Sequence, residues 1–152
     1  MDTISLKKEL LQYCQGQVEK RYSKIKQNIA DIDGSIIEEA QHCKGDSLDN
    51  IRGMLQIDRE NAGKQLMEIE KLMELLKKID VRSSSDYVRL GSLVHTDKAI
   101  YFISLSVGPV SIGGKEYLCV ALNSPVGAQL IGKKKGEKFV LNNSEYLIES
   151  VI

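Results

Sequence analysis

Tryptophan is absent from the sequence, proline occurs twice, and aromatic residues make up 5% of it. So few rings argue against an apolar small-molecule pocket or a stacking surface for bases, both of which are usually built from aromatic side chains. Tyr101, Phe102 and Tyr117 lie in strand-like stretches and read as packing. Net charge is missing too, because 21 basic residues face 21 acidic ones. No global field draws such a chain to nucleic acid or to an anionic membrane, so any nucleic-acid contact must be local or made through a partner protein. No apolar run reaches the length of a membrane span, and the first ten residues carry Asp2, Lys7, Lys8 and Glu9. Neither a membrane segment nor a signal peptide is expected. Cysteine is scarce: Cys14, Cys43 and Cys119 are odd in number and widely spaced. They read as reduced thiols of a cytoplasmic protein and not as a disulfide frame. His42 beside Cys43 lacks the second pair of ligands that a metal site requires, so Cys43 reads as an apolar filler on the inner face of a helix.

The first half holds a helical pattern. From Ile4 to Cys43 there is no proline, and Leu11, Val18, Ile25 and Ile32 recur at a heptad step. Tyr22, Ile29, Ile36 and Cys43 form a parallel row four positions on, which together make the narrow seam of a coiled coil. Gln15 and Glu39 interrupt the seam, and Gly34 weakens the helix by about 1 kcal/mol relative to Ala. A second seam combines Leu48, Leu55, Ala62, Ile69 and Leu76 with Ile51, Leu66, Leu72, Met73 and Ile79, interrupted by Asp58 and Gln65. Lys44-Gly45-Asp46-Ser47 separates the two. Gly45 suits the left-handed position after a helix end, Lys44 suits the negative end of the helix dipole, and Asp46 is a good N-cap. So short a connection makes the helices antiparallel neighbours, with a second arm of about thirty residues that is ~45 Å long.

The second half changes period. Val81 to Asp86 is a polar link, and then Tyr87–His95, Ala99–Val107, Glu116–Leu122, Lys138–Leu141 and Glu145–Val151 alternate as strands do. Gly113-Gly114 and Asn142-Asn143 mark hairpin turns. One short helix is expected between them, capped by Ser124, opened by Pro125 and ended by Gly132. The predicted fold is therefore α+β: an antiparallel coiled-coil hairpin over residues 1–80, a link over 81–86, and a small sheet domain with one short helix over 87–152, built of four to five strands.

Chemistry is expected at the turn of the hairpin. Asp46 and Asp49 stand three apart at a helix start, so they share one end and one face. Two carboxylates there can hold a hard divalent cation through oxygen when another site completes its shell, and can help to place an attacking water. The same spacing also resembles a capping box, and acids favour a first helical turn in any protein. Both roles remain open on spacing alone.

The stretch Glu39-Ala40-Gln41-His42-Cys43-Lys44-Gly45-Asp46-Ser47-Leu48-Asp49-Asn50 resembles the hairpin tip of the Gre transcript-cleavage factors, which carry Gly-Asp-x-x-Glu-Asn after a Glu-Ala helix end. Ser124-Pro125-Val126-Gly127, Leu130-Ile131-Gly132-Lys133-Lys134 and Gly136-Glu137 resemble the signature of that family's carboxyl-terminal domain, and Leu90-Gly91-Ser92-Leu93-Val94 resembles its opening strand. The resemblance runs in order along nearly the whole chain, and the Ser-Pro-x-Gly block is its most specific part. It implies an FKBP-like carboxyl-terminal domain that grips the rim of the secondary channel of a bacterial-type RNA polymerase, while the coiled coil enters the channel. It also implies that Asp46 and Asp49 help to hold a catalytic Mg²⁺ shared with the polymerase, which then cleaves its own backtracked RNA. The chain would be a monomeric, cytoplasmic accessory factor with no cofactor of its own, touching nascent RNA only indirectly. Asn50, Ser124, Pro125, Gly127, Lys133 and Lys134 are the positions carried over as polymerase contacts, although Lys133-Lys134-Lys135 also reads as a solvated hairpin flank. No isomerase activity is expected from the FKBP-like fold, since fold alone confers none.

The match has departures. Asp49 stands where the family has Glu, one residue more precedes the tip glycine, and a tight Gly113-Gly114 turn replaces a longer acidic loop. Three functions stay in view: a cleavage-stimulating factor, a regulator that occupies the channel without promoting hydrolysis, and a coiled-coil interaction protein unrelated to polymerase.

Overall fold

The computed structural model describes residues 2–42 and 46–152, with the backbone alone for residues 39–42 and 46–49. The Lys44-Gly45 connection, Cys43, and the side chains at seam position Leu48 and at Asp46 therefore lie outside the described residues.

Two long helices come first, α1 over Thr3–His42 and α2 over Asp46–Lys77. Asp2 caps α1: its side-chain oxygen accepts from the Ser5 amide at 2.7 Å, and that bond holds the carboxyl below the usual aspartate range. Without proline, α1 continues through Gly16 and Gly34 unbroken for 40 residues. At its far end α2 tightens, with Lys78 and Ile79 amides donating to the Leu75 and Leu76 carbonyls.

The chain divides into two compact units, Val18–Glu74 and Met1–Gln17 joined with Leu75–Ile152. In the first, the helices run antiparallel. Asp33 of α1 pairs with Arg59 of α2 at 3.1 Å, whereas Ile25 and Arg21 share a groove with Ile69 and Leu72. Ala62 and Ile69 are buried as the heptad pattern predicts, but Ile25, Ile29, Ile32, Leu55 and Leu66 are only half-buried. Two helices alone cannot close a seam from both sides. Ile37, Met54, Ile57 and Met67 are each 60% exposed or more.

The second unit is built on a six-stranded mixed sheet of order β3-β4-β2-β1-β6-β5. Its strands are β1 Leu93–Thr96, β2 Ile100–Ser104, β3 Gly108–Ile112, β4 Lys115–Ala121, β5 Lys138–Leu141 and β6 Ser144–Val151. Only β2 and β4 pair parallel; every other neighbouring pair is antiparallel. The two expected hairpins form. Gly113 and Gly114 turn β3 into β4, and Asn142 and Asn143, at φ +52° and +64°, turn β5 into β6.

Two strand expectations are corrected. The sheet has six strands, because Gly108–Ile112 pairs with β4 despite its Gly and Pro109. It lies on the sheet edge, where proline costs no ladder bond. The first strand begins at Leu93 and not at Tyr87, because Gly91 adopts φ +88° and Ser92 donates back to the Arg89 carbonyl at 3.0 Å. A side chain at Gly91 would also approach the Ile79 side chain to 3.1 Å.

Both faces of the central strands are covered. On one, Val94, Tyr101, Ile103, Phe139 and Ile148 pack with Val88 and with Leu130 of the short helix α3, Pro125–Leu130. On the other lie Leu93, Phe102, Ser104 and Cys119, all nearly inaccessible. The first turns of α1 reach this face, for Cys14 hydrogen-bonds Ser104 at 3.4 Å. The buried stripe here is Lys7, Leu10 and Cys14, a helical i, i+3, i+7 set, and Leu11 of the expected seam is only half-buried. The pattern shifts because this part of α1 packs on a sheet.

Candidate functional site

The expected site residues fall into two groups, one per unit. Asp46, Asp49 and Asn50 belong to the first turn of α2, whose helical backbone puts the three positions on one face. Asn50 is exposed, and the carboxylates of Asp46 and Asp49 lie outside the described residues. Among the described residues no three His, Cys, Asp or Glu side chains gather as a metal site.

The second group surrounds α3, and its geometry follows from the sequence. Ser124 is extended, at φ −74° and ψ 161°; its hydroxyl accepts from the Gly127 amide at 3.1 Å and donates to the Ala121 carbonyl at 2.6 Å. Pro125 supplies a fixed φ at the first helical position and is exposed. Gly127 is buried so closely on the end of β4 that a Cβ would sit 2.0 Å from the Ala121 oxygen. The Ser-Pro-Val-Gly block thus builds a helix start pressed against backbone.

Past α3, Gly132 turns at φ +77° and donates to Val88, while Val88 donates to the Lys133 carbonyl, both at 2.8 Å. Lys134 bridges to Tyr87, and its amide donates to the Glu137 carboxylate at 2.5 Å. The backbone of the lysine run is therefore held, and Lys134 and Lys135 are exposed. Tyr87 and Ile131, 43% and 51% exposed, flank the run and give it an apolar component.

A third feature is an open groove of about 800 Å³ along the hairpin. Ile25, Ile69 and Leu72 provide apolar lining, and Arg21, Lys24 and Glu68 provide charge.

Three buried polar clusters escaped the reading of the sequence. Lys7, 1% exposed, donates from Nζ to the Ser83 carbonyl at 3.4 Å, and Arg89 donates to the Ser83 hydroxyl and the Ser84 carbonyl. Burial, and then the neighbouring Arg89 charge, lower the Lys7 pKa against an opposing pull from Asp80. His95 keeps Nδ1 buried without a hydrogen-bond partner, and burial, with Lys115 adding to it, holds its pKa below the usual histidine value. The third is Cys14, Ser104 and Cys119. Cys14 and Ser104 share a hydrogen bond at 3.4 Å, while the mutual influence of the two thiols lowers the Cys14 pKa and, with burial, raises that of Cys119. In the sequence the only trace of this cluster is that Cys14 stands seven after Lys7, because the partners come from strands some ninety or more residues away.

The architecture is of the α+β class, two long helices followed by a mixed sheet with one short helix. Among solved structures, that of the transcription factor Gfh1 is similar at 12% identity, covering 90% of this chain and 91% of that one with a TM-score of 0.35. A likeness at that level defines neither the arrangement of the elements nor a function. No family model matches the chain, and no curated protein matches it in sequence. No described helix is long and apolar enough to cross a membrane.

Proposed function

We propose that this chain is a Gre-like accessory factor of RNA polymerase, acting in the cytoplasm as a monomer. In this reading the helical hairpin enters the secondary channel, and the sheet domain, FKBP-like in kind, docks on the channel rim through Ser124, Pro125, Gly127, Lys133 and Lys134. Asp46 and Asp49, with Asn50 beside them, share a Mg²⁺ with the polymerase and orient water toward the backtracked RNA. Two carboxylates are too few to hold such an ion alone, which is why the chemistry belongs to the complex. The ion supplies charge neutralisation at the scissile phosphate. The chain's own part is to deliver paired oxygens where that charge develops.

The observation that carries this reading is the acidic Gly45-Asp46-Ser47-Leu48-Asp49-Asn50 motif at the junction of two unbroken antiparallel helices. The Ser124-to-Gly127 block supports it from a second place in the chain. Its local geometry explains why such a motif needs serine, proline and glycine in that order.

A second reading, a channel-occupying regulator without cleavage activity, is favoured by the shorter side chain at Asp49. Catalytic constellations tolerate displacements of only ~0.5 Å, and one methylene exceeds that.

RNA length analysis on backtracked elongation complexes separates the two. A cleavage factor shortens the RNA 3′ end, and Asp46→Asn with Asp49→Asn lowers that rate by about 100-fold or more, the scale of losing a group that stabilises developing charge. Asn still caps the helix, so folding is kept. Binding to polymerase with intact RNA, unaffected by the substitutions, establishes the regulator instead. Failure to bind polymerase at all sinks both.

A further inference from the structure

We propose that the hairpin grooves of two copies of this chain close on each other, the two hairpins running antiparallel, to form a four-helix dimer. The inference does not rest on the polymerase reading. The form that acts there is the monomer, and the pair is a resting form that must separate first.

The groove that begins at Arg21 and Leu72 continues into a second hollow of about 250 Å³, lined by Ile32, Asp58, Asn61 and Ala62. Asn28 and Gln65 line both hollows and so mark the middle. Apolar side chains lie on either side of that middle: Ile25, Ile69 and Leu72 toward one end, Ile32 and Ala62 toward the other. Ile25, Ile32 and Leu72 are only half-buried. Two further helices laid along the groove would take that surface out of water, as in a four-helix bundle.

The charges identify the occupant. Arg21 and Lys24 stand at one end of the groove and Asp31 and Asp58 at the other, all four exposed. Asp31 accepts from the neutral Gln27 amide at 2.9 Å, a bond that leaves its charge in place. A two-fold axis at the level of Asn28 and Gln65 turns this pattern onto its own complement. Lys24 of each copy then comes opposite Asp31 of the other, because the two lie about one helical turn to either side of Asn28. Arg21 comes toward the Asp58 end, and Glu68, an acid on the basic side, toward the Asn61 amide. At the centre Asn28 and Gln65 meet their own copies, and an amide both donates and accepts across such an axis. A parallel pairing would instead gather both acidic ends at one place and both basic ends at another, where like charges repel. A helix of one sign would match half of the groove and oppose the other half.

The test is sedimentation equilibrium on the full chain. A dimer with a dissociation constant of about 10 μM is expected, as befits a small interface with a polar centre. Raising the salt from about 0.05 to about 0.5 M should weaken it about 5-fold or more, because the charge pairs are exposed. Arg21→Glu with Lys24→Glu should weaken it about 10-fold or more, and so should Asp31→Lys with Asp58→Lys, with helix content by circular dichroism unchanged. Mixed in equal amounts, the two variants should pair again as a heterodimer, since each brings the charge that the other has lost. In the unsubstituted protein, a carbodiimide cross-link between Lys24 and Asp31 should join a nitrogen-15-labelled chain to an unlabelled one. The proposal is overturned if the protein stays monomeric at about 200 μM, if either charge reversal leaves the association unchanged, if the mixed variants remain monomers, or if Lys24 and Asp31 link only within one chain.

Discussion

At Gly127 an added methyl group would lie 2.0 Å from a backbone oxygen and 2.9 Å from two backbone carbons of residues 121 and 122. No side-chain rotation relieves such a contact; α3 or the end of β4 must shift. Gly127→Ala is therefore expected to destabilise the protein by about 3 kcal/mol or more, read as a lowered urea midpoint at unchanged slope, because overpacking against backbone is among the severe classes of substitution. A loss below about 0.5 kcal/mol contradicts the close approach. Lys7 and His95 show a different economy at the same scale. Each keeps an ionisable group where charge is disfavoured, Lys7 by burial and by Arg89, His95 by burial and by Lys115. An acidic replacement at either position would bury a further ionisable group and is expected to cost more than an apolar one.

The elements differ in how they are stabilised. The central strands β1 and β2 bury both faces, whereas the paired helices of Val18–Glu74 bury a single narrow seam and leave Met54, Ile57 and Met67 in solvent. With so little packing, intrinsic helix propensity carries more of the hairpin's stability. Gly34 has open space where a Cβ would stand, and its backbone is plain helix. Gly34→Ala is thus expected to stabilise the hairpin by about 1 kcal/mol, visible as slower amide exchange along the neighbouring turns of α1. Unchanged or faster exchange would mean that the glycine has a role other than continuing the helix. The surface pair Arg59–Asp33, with both side chains near half exposed, contributes little to this balance.

For the molecule as a whole, charge is the deciding quantity. Equal numbers of acidic and basic residues leave the lysines of the 133–135 run without a supporting field, and three lysines release few counterions. The isolated protein is expected not to retain single- or double-stranded nucleic acid at physiological salt up to about 100 μM, measured by fluorescence anisotropy, because non-specific binders reach that range through many phosphate contacts. Salt-sensitive binding at about 1 μM would show a basic surface that composition conceals.

The helices, the two tight turns, and the Ser124–Pro125 helix start were legible in the residues themselves. Heptad spacing, adjacent residues that accept positive φ, and capping are all local, and their physics is complete within a few neighbours in the chain. The edge strand β3 was not, because its glycine and proline argue against a strand until a neighbour and a sheet edge are known. The turn at Gly91 and the meeting of Cys14 with Ser104 were not legible either. Which residues ninety or more positions apart share a face depends on register and on how α1 lies on the sheet, and those are settled by burial of the whole chain and by no local rule.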